Sequence, residues 1–334
     1  MNYVGIDLHK VDLVVSVENG QGPVGKPVRI ACRDVAAITR FFTKMVPFRA
    51  VIEASSSYRW LYDLLSPMGQ VVLAHPLKLR AIVSARAKTD KLDSGMLARL
   101  LRADLIPESY VPEERYQFLR DVTRARARLV HRATAAKNEI YALLARANVQ
   151  SPYVNAMCKG GRQWIGRQDL GYGSDLVKGE LLRRMEYYQR EIKQVDLEFA
   201  TIAPRFPEVY ALLDLYGVGT FTALLVVAEI GDPERFANGD QVGAYAGLTA
   251  RVRQSGGQEY SGHISKQGSP WLRWVLVQAA MKLVRQDEKL RDFYTRVRRR
   301  SGAKIARVAA ARKLAEICWV RLRRWQREQL RKVS

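Results

Sequence analysis

Four acidic residues in the N-terminal part of the chain have types and spacing that suit phosphodiester chemistry. Asp7 and Glu53 each follow a short apolar run, and Asp90 and Asp93 lie three residues apart in the amphipathic segment KTDKLDSGMLARLLRAD. Positions three apart share one face of a helix, so carboxylates from two strands and one helix could converge. Such a cluster can bind divalent metal ions that clamp the attacking and leaving oxygens of a phosphoryl transfer.

Each of these acidic residues also has an ordinary structural explanation. Asp7 could belong to a turn, and Glu53 could be a charge at a strand end. Thr89 or Asp90 could be a helix N-cap with Asp93 in the first turn, where acidic side chains are favoured. The four residues together indicate a metal site more specifically than any one of them does. Glu53 directly follows the apolar run Ala-Val-Ile, and a charge at the end of a buried strand requires a reason.

A second candidate for chemistry is a serine in the segment GLTARVRQSGGQEYSGHISKQGSPWLR. The residues that flank Ser255 are Arg251, Arg253, Gly256 and Gly257. A serine hydroxyl becomes a nucleophile when a base or a metal activates it and cations stabilise the charge on phosphorus, and glycine lets the backbone approach a phosphate closely. A loop that only contacts phosphate would have the same composition, and Ser261 and Ser265 are alternative nucleophiles.

The composition indicates a folded protein that binds polyanions. The chain of 334 residues is 48% hydrophobic and carries a formal net charge of +22, a balance typical of nucleic-acid-binding proteins. A ribosomal-type basic protein and a protein of anionic membrane surfaces are the alternatives. The longest apolar run, Phe221–Ile230, is about half of the roughly 20 residues that span a bilayer. Since MNYVGIDLHK is unlike a signal peptide, we expect a soluble, cytoplasmic protein without a membrane partner.

Metal ligands other than carboxylates have little support in the sequence. The three cysteines and four histidines are scattered and form no paired motif, so neither a zinc site nor a disulfide framework is predicted. A metal in this protein would be held by carboxylates, which favour Mg²⁺ or Mn²⁺.

Three segments are predicted to position these residues, with boundaries at 1–110, 111–204 and 205–334. The first alternates strands and helices and is predicted to form a mixed α/β sheet. Its strands are expected at Asn2–Ile6, Leu13–Val17, Val28–Ala31, Ala50–Glu53 and Val71–Ala74, and its helices at Val35–Met45 and Tyr58–Leu65.

The middle segment is predicted to be an antiparallel helical hairpin. Apolar residues recur there at the spacing of three and four that is typical of coiled coils, and ordinary bundle packing is the alternative. The two series are Phe118, Val122, Ala125, Leu129, Ala136, Ile140, Leu143, Ala147 and Leu181, Met185, Tyr188, Ile192, Val195, Phe199, Ile202. Residues 151–179 between them show no clear period and would form an elaborated tip.

The last segment is predicted to be mainly helical from Pro204 onward. The stretch LLDLYGVGTFTALLVVAEIGD is typical of a helix-hairpin-helix, whose Gly-Val-Gly turn offers N–H groups to a DNA phosphate, although a tight turn in a helical core would look similar. A loop is expected at 247–269, and Ser269-Pro270 should open a helix through about Gln286. Residues 285–334 carry 17 Lys/Arg against 5 Asp/Glu. The interleaved aromatic residues Trp319, Trp325, Phe293 and Tyr294 favour a surface that tracks phosphates over a merely solvated face.

These motifs resemble one known family, the DEDD transposases of the IS110 insertion sequences, which are described as bridge-RNA-guided serine recombinases and have the pilin-gene invertases as relatives. The N-terminal motifs are YVGIDLHK, VIEAS and KTDKLDSGMLARLL, and the C-terminal motifs are YGVGTFTALLVVAEIGDPERF, VGAYAGLTARVRQSGG and ISKQGSPWLRWVLVQAA. Both sets stand in the expected order, and the resemblance covers most of the chain.

The resemblance implies a RuvC-like, RNase H-type N-terminal domain, a coiled-coil hairpin and a C-terminal transposase domain. It implies that Asp7, Glu53, Asp90 and Asp93 bind Mg²⁺ or Mn²⁺ and that Ser255 forms a phosphoserine with DNA in a site shared between subunits. The implied partners are donor and target DNA, a structured noncoding guide RNA and further copies of the chain, as a dimer assembling to a tetramer at the bacterial nucleoid. The expected nucleic-acid contacts are Arg251, Arg253, Gly217, Gly219, Lys266, Arg273, Arg298, Arg299 and Arg300.

One departure and three alternatives accompany the resemblance. Residues 151–179 are longer and more irregular than the tip of the family's hairpin. The alternatives are a site-specific DNA invertase of the same family, a metal-dependent junction-resolving nuclease that needs no serine intermediate, and a non-catalytic nucleic-acid-binding protein. Substitution of Ser255 or of the acidic residues distinguishes the nuclease and the non-catalytic protein from the recombinase, and the presence of bound RNA bears on the invertase.

Overall fold

The computed structural model describes residues 1–55, 57–86, 93–255 and 258–333. The chain forms two compact units, Met1–Val111 and Pro112–Ser334. No helix in the described ranges is long and apolar enough to cross a membrane.

The first unit is a mixed α/β sheet, as predicted. Its strands are β1 (Asn2–Leu8), β2 (Asp12–Asn19), β3 (Gly22–Pro23), β4 (Val28–Ala31), β5 (Phe48–Glu53) and β6 (Gln70–Ala74), and its helices are α1 (Val35–Thr43), α2 (Tyr58–Leu65), α3 (Pro76–Arg86) and α4 (Ser94–Arg102). The strand order is β3-β2-β1-β5-β6, with β4 also paired to β2. Strand β1 runs antiparallel to β2 and parallel to β5, and β5 runs parallel to β6.

Alternating side chains give this sheet a separate apolar core on each face. Val4, Ile6 and Ile52 belong to the core that includes Ile38 and Phe42 of α1. The opposite core contains Val51 and Val72 together with three leucines of α4. Helix α4 therefore packs on the face opposite to α1.

The second unit begins with a helical hairpin. It consists of α5 (Glu114–Arg146), α6 (Lys159–Arg167) and α7 (Tyr172–Ile202). Leu119 near the start of α5 shares a core with Phe199 near the end of α7, whereas Ile140 and Leu181 share a second core at the other end. The two long helices are therefore antiparallel.

The predicted seam is wrong in the first half of α5. Phe118 is 38% exposed, and Leu119, Thr123 and Ala127 are buried instead. From Ala136 onward the predicted positions are buried through Leu143, but the final predicted position, Ala147, is exposed. This rotation of α5, relative to the predicted seam, turns the charged side chain of Arg120 inward.

The remaining elements pack around one almost wholly apolar helix. They are α8 (Tyr210–Leu213), α9 (Thr220–Ile230), α10 (Gly239–Tyr245), β7 (Ala250–Ser255), β8 (Gln258–Ile264), α11 (Pro270–Gln286), α12 (Glu288–Ser301) and α13 (Ala303–Val333). In α9 every residue from Ala223 to Ile230 is buried. Helix α11 begins and ends where the sequence predicts, with Ser269 Oγ accepting from the Leu272 N–H at 3.1 Å.

Two arginines fix α5 to the end of α9. The guanidinium of Arg120 donates to the carbonyl oxygens of Ala228 and Glu229 at 2.8 and 3.1 Å. Arg124 donates to both carboxylate oxygens of Glu229 at 2.7 and 2.9 Å. The Glu229 side chain is completely buried, so this pair is an internal link and explains why α5 turns its Arg120 face inward.

Two further predictions for the second unit need correction. The predicted loop at 247–269 contains a β-hairpin, β7 and β8, in which Ser255 pairs with Gln258. Trp319 is not a surface aromatic, since it is 7% exposed and its Nε1 donates to the Pro233 carbonyl oxygen at 2.8 Å. Phe293 and Tyr294 also pack against the core, because α12 and α13 use their aromatic residues to cover it.

Candidate functional site

Two of the predicted acidic residues end neighbouring parallel strands. Asp7 and Glu53 each follow directly after Ile6 and Ile52, which are paired in register between β1 and β5. Neighbouring residues in register point to the same face of a sheet, so the two carboxylates leave the same edge on the same face. That face is the one that α4 covers, because Val51, two residues before Glu53, packs with α4.

The third acidic residue caps the helix on this face. Asp93 accepts a hydrogen bond from the Met96 N–H at 2.7 Å, and its own backbone is extended. Helix α4 lies very close to β1, since a Cβ on Gly5 would stand 2.0 Å from the carbonyl oxygen of Ser94. Gly5 is two residues before Asp7, so both point to the face on which α4 begins.

Asp93 precedes helix α4 and does not lie on its face, contrary to the prediction for this residue. Helix α4 begins at Ser94, and the Asp93 side chain accepts from an N–H of its first turn. Asp93 is therefore the N-cap of α4, and Thr89 and Asp90 lie outside the described residues.

The sequence interpretation missed a histidine beside this acidic edge. His9 Nε2 lies 3.3 Å from Asp7 Oδ2, and the two side chains are 53% and 33% exposed. The signal was present in the sequence, since His9 follows Asp7 by two residues at the strand end. An imidazole in this position can orient the carboxylate.

The donor atoms at the edge fit a hard divalent cation in their chemistry. Asp7 and Glu53 offer carboxylate oxygens, the ligand type that Mg²⁺ and Mn²⁺ prefer. Within the described ranges no group of three or more His, Cys, Asp or Glu residues is close enough to hold a metal ion. The described part of the site is thus a pair of strand carboxylates with Asp93 at the neighbouring helix.

Ser255 lies at the end of a strand of the second unit. It is the last residue of β7, and its backbone pairs with Gln258. The side chains of Ser255, Arg251 and Arg253 lie outside the described part of the structure. Near this serine the structure therefore describes the backbone of the hairpin and the contacts at its base.

A half-buried arginine holds the base of this hairpin. Arg273 Nη1 donates to the carbonyl oxygens of Ala246 and Lys266, at 3.1 and 3.3 Å, which lie before and after the hairpin. Gly247 has a φ of +67° and would bring a Cβ to 2.4 Å from that nitrogen. Burial lowers the pKa of Arg273. The sequence predicts that Arg273 and Lys266 contact nucleic acid. In the structure the Arg273 side chain instead donates to backbone carbonyl oxygens of this chain.

The glycines of the Gly-Val-Gly turn begin α9. Gly217 has a φ of +87°, in the left-handed region that glycine adopts readily, and Gly219 is the N-cap. Glycine has no side chain to accept from the first-turn N–H groups, so these donors remain available to a phosphate. The helix before the turn, α8, has only four residues. The two apolar helices predicted around the turn are therefore of unequal length.

The basic residues near the C-terminus differ in whether they have an acidic partner within the chain. Arg298, Arg299 and Arg300 are exposed in the last turn of α12, where the helix dipole favours cations. On α13, by contrast, Arg323 and Arg327 donate to Glu234 and lower the pKa of its carboxyl to about 2. Much of the positive charge on α13 therefore has a partner within the chain.

Comparison with known proteins finds two family matches on this chain. A family described as DEDD transposase of the IS110 type matches residues 4–149, and the "Transposase IS116/IS110/IS902 family" matches residues 209–295. A "Probable family 20 transposase" of Pseudomonas aeruginosa is 28% identical over 97% of both chains. The transposase for insertion sequence element IS1111A of Coxiella burnetii is 29% identical over 82% of this chain and 77% of its own.

A third relative is also similar over nearly the full length of the chain. The transposase for insertion sequence element IS1328 of Yersinia enterocolitica is 24% identical over 95% of both chains. The two family matches lie in the expected order and include Asp7, Glu53, Asp90 and Asp93 in the first and Ser255 in the second. The chain belongs to the IS110 family of DEDD transposases, enzymes that move DNA.

Proposed function

We propose that this transposase exchanges DNA strands through a covalent phosphoserine on Ser255, assisted by a divalent cation at Asp7, Glu53, Asp90 and Asp93. The first unit would be a RuvC-like domain over about 1–110. A coiled-coil hairpin would follow over 111–204, and a C-terminal transposase domain over 205–334. The observation that carries the proposal is the pairing of β1 with β5, which puts Asp7 and Glu53 at one edge on the face covered by α4.

The acidic residues would bind Mg²⁺ or Mn²⁺, since a DEDD transposase domain implies a divalent metal. A cation there offsets the negative charge that develops on a phosphate during displacement. Asp7 and Glu53 supply hard oxygen donors from rigid strands, and His9 orients Asp7 at 3.3 Å. Asp93 keeps one carboxylate oxygen on the Met96 N–H, which would hold the other oxygen in a fixed direction.

The serine step is a displacement at phosphorus. Ser255 Oγ forms a bond to the phosphorus of the DNA, and the bond from phosphorus to the bridging deoxyribose oxygen breaks. The serine proton is lost and the leaving oxygen gains a proton, so the number of phosphodiester bonds is conserved. Reversal by the hydroxyl of another strand restores Ser255 and joins the new strands. Arg251 and Arg253 would offset charge on the phosphate.

The partners would be donor DNA, target DNA and a structured noncoding RNA that selects both by base pairing. The net charge of +22 and the exposed Arg298, Arg299 and Arg300 support backbone contacts, which position a nucleic acid without reading its sequence. Further copies of the chain would complete the assembly as a dimer that forms a tetramer. Purification with associated RNA, followed by sequencing, tests the guide, and its absence would favour the DNA invertase alternative.

The acidic edge is tested by Asp7→Asn and Glu53→Gln, which remove charge with little change of shape. We expect each substitution to lower the rate of strand exchange about 100- to 1,000-fold, with normal unfolding curves, because charge stabilisation of a transition state contributes on the order of 10²–10³ in rate per group. Asp63→Asn, in an exposed pair with Arg59, is the matched control and should retain activity. Full activity of both edge variants in the presence of a chelator would exclude the metal site.

The serine is tested separately by Ser255→Ala, with Ser261→Ala and Ser265→Ala as controls. Ser255→Ala should abolish strand exchange and the protein–DNA adduct, while the two control variants keep both. A covalent adduct that persists in Ser255→Ala would refute the assignment. DNA cleavage that continues without an adduct would favour the metal-dependent nuclease.

A further inference from the structure

The second unit contains a cavity next to the Gly-Val-Gly turn. It has a volume of about 480 Å³ and lies between α5, α7, α9 and α11. Volumes of roughly 300–1,000 Å³ are typical of sites that enclose a small organic molecule. The residues that matter for its chemistry are Arg126, Gly219, Phe221, Trp274, Gln278 and Lys282.

One wall of this cavity is aromatic. The rings of Phe221 and Trp274 have centroids 6.2 Å apart at 62°, and both residues are only partly buried. Behind Phe221, the buried Phe199 stacks at 5.9 Å. On the outer side, His131 meets Trp274 edge-on at 5.0 Å. The wall thus consists of rings held by other rings.

The rest of the lining is polar and carries two cations, Arg126 and Lys282, and one carboxylate, Asp196. The Arg126 guanidinium lies 4.1 Å from the centroid of Phe221 and is held there by two hydrogen bonds to Asp196, at 2.9 and 3.0 Å. Lys282 is exposed and lies against the turn, since a Cβ on Gly217 would stand 2.5 Å from Lys282 Cβ. The first N–H groups of α9, which begins after Gly219, face the same turn.

We propose that this cavity takes one unpaired base of a bound nucleic acid, with the base against Trp274 and its phosphate at Lys282. Every base has a π-face that stacks on aromatic side chains without sequence preference, and Arg126 adds a cation beside the base. An aromatic wall beside a lysine and the start of a helix matches a nucleotide better than an apolar ligand. The proposal rests on the nucleic-acid binding of the proposed function but not on Ser255.

The position of the base is tested by photocrosslinking of the unaltered full-length protein. A single-stranded DNA with 5-iododeoxyuridine and an RNA of the same sequence with 5-iodouridine are irradiated in its presence, and the adducts are located by mass spectrometry. We expect the adduct on Trp274 or Phe221, and the nucleic acid that gives it identifies the source of the base. Adducts found only elsewhere, for example on Trp60 or Trp164, would overturn the proposal.

The energetic contribution of the base is tested by comparing an oligonucleotide with its abasic counterpart, which keeps the phosphates. The wild-type protein should bind the intact oligonucleotide about 5- to 150-fold more tightly, because stacking of one base contributes on that order. Trp274→Ala should lose this preference without weakening abasic binding, which also shows that the variant is folded. Trp60→Ala, with a 36% exposed tryptophan in the first unit, is the matched control and should keep the preference.

Lys282→Ala separates the phosphate from the base. It should weaken both oligonucleotides equally and lower the salt dependence of binding by about one phosphate contact. Equal binding of intact and abasic oligonucleotides by the wild-type protein would refute the cavity as a base site. Repeating the measurement with Ser255→Ala distinguishes the two proposals, because that variant should keep the base preference even though it exchanges no strands.

Discussion

The position of Asp7 and Glu53 depends on strand register at single-residue precision. Ile6 and Ile52 are paired in β1 and β5, so the next residues on both strands point to one face. A shift of one strand by one residue would reverse the side of the sheet on which its carboxylate lies. The apolar residues that fix this register, Val4, Ile6 and Ile52, are completely buried.

His9 is the residue whose contribution is easiest to isolate. His9→Ala removes the contact of 3.3 Å with Asp7 but leaves all four acidic residues in place. Residues that orient metal ligands typically change metal affinity or activity by about 10–100-fold, so we expect strand exchange to require a correspondingly higher Mg²⁺ concentration. The measurement is the rate as a function of Mg²⁺. An unchanged Mg²⁺ dependence would show that His9 does not act on Asp7.

At the scale of elements, the close packing of α4 on β1 determines where Asp93 stands. Gly5→Ala would place a Cβ 2.0 Å from the Ser94 carbonyl oxygen, which is backbone and cannot rotate away. We expect a loss of stability of about 1–3 kcal/mol or more together with loss of activity.

Gly20→Ala is the matched control for this substitution. Nothing lies within 4 Å of a Cβ at Gly20, so its effect should stay within about 0.5 kcal/mol. Chemical unfolding of the two variants beside the wild type measures the difference. Similar unfolding curves for both would mean that α4 does not pack on Gly5.

Local sequence patterns predicted the strands of the first unit well but not the packing of the second. Val28–Ala31 and Tyr58–Leu65 have the predicted bounds, because alternation and helical spacing are local signals. The β7–β8 hairpin was missed, although the Gly-Gly pair before Gln258 is a hairpin signal. The inward face of Arg120 was not predictable, since its acceptors are more than a hundred residues away.

The link between α5 and α9 gives a second prediction at this scale. Arg124→Met would leave the completely buried carboxylate of Glu229 without its partner, which costs about 3–5 kcal/mol when a buried pair is broken. Arg324→Met, in an exposed pair with Glu328, is the control and should cost less than about 1 kcal/mol. Unfolding in guanidinium chloride measures the free energy of unfolding of both variants. Equal losses would show that the Arg124–Glu229 pair is not buried.

For the whole molecule, two of the cysteines report on the fold. Cys158 is exposed and Cys318 is buried, and burial raises the pKa of Cys318 from 9.0 to about 12. The raised pKa lowers the thiolate fraction of Cys318 roughly a thousandfold, and the thiolate is the reactive form. At pH 8 a thiol reagent should label Cys158 at once and Cys318 only after unfolding. Rapid labelling of Cys318 in the native protein would contradict the core around α13.

The positive charge of the whole molecule suits contacts with nucleic-acid backbones, but the chemistry of strand exchange depends on one covalent bond. The most direct measurement is mass spectrometry of the wild-type protein after reaction with its DNA in Mg²⁺ and digestion with protease and nuclease. We predict a nucleotide joined through phosphate to Ser255, present with Mg²⁺ and absent from Asp7→Asn. A nucleotide attached to any other residue, or strand exchange at full rate without an adduct, would contradict the proposed mechanism.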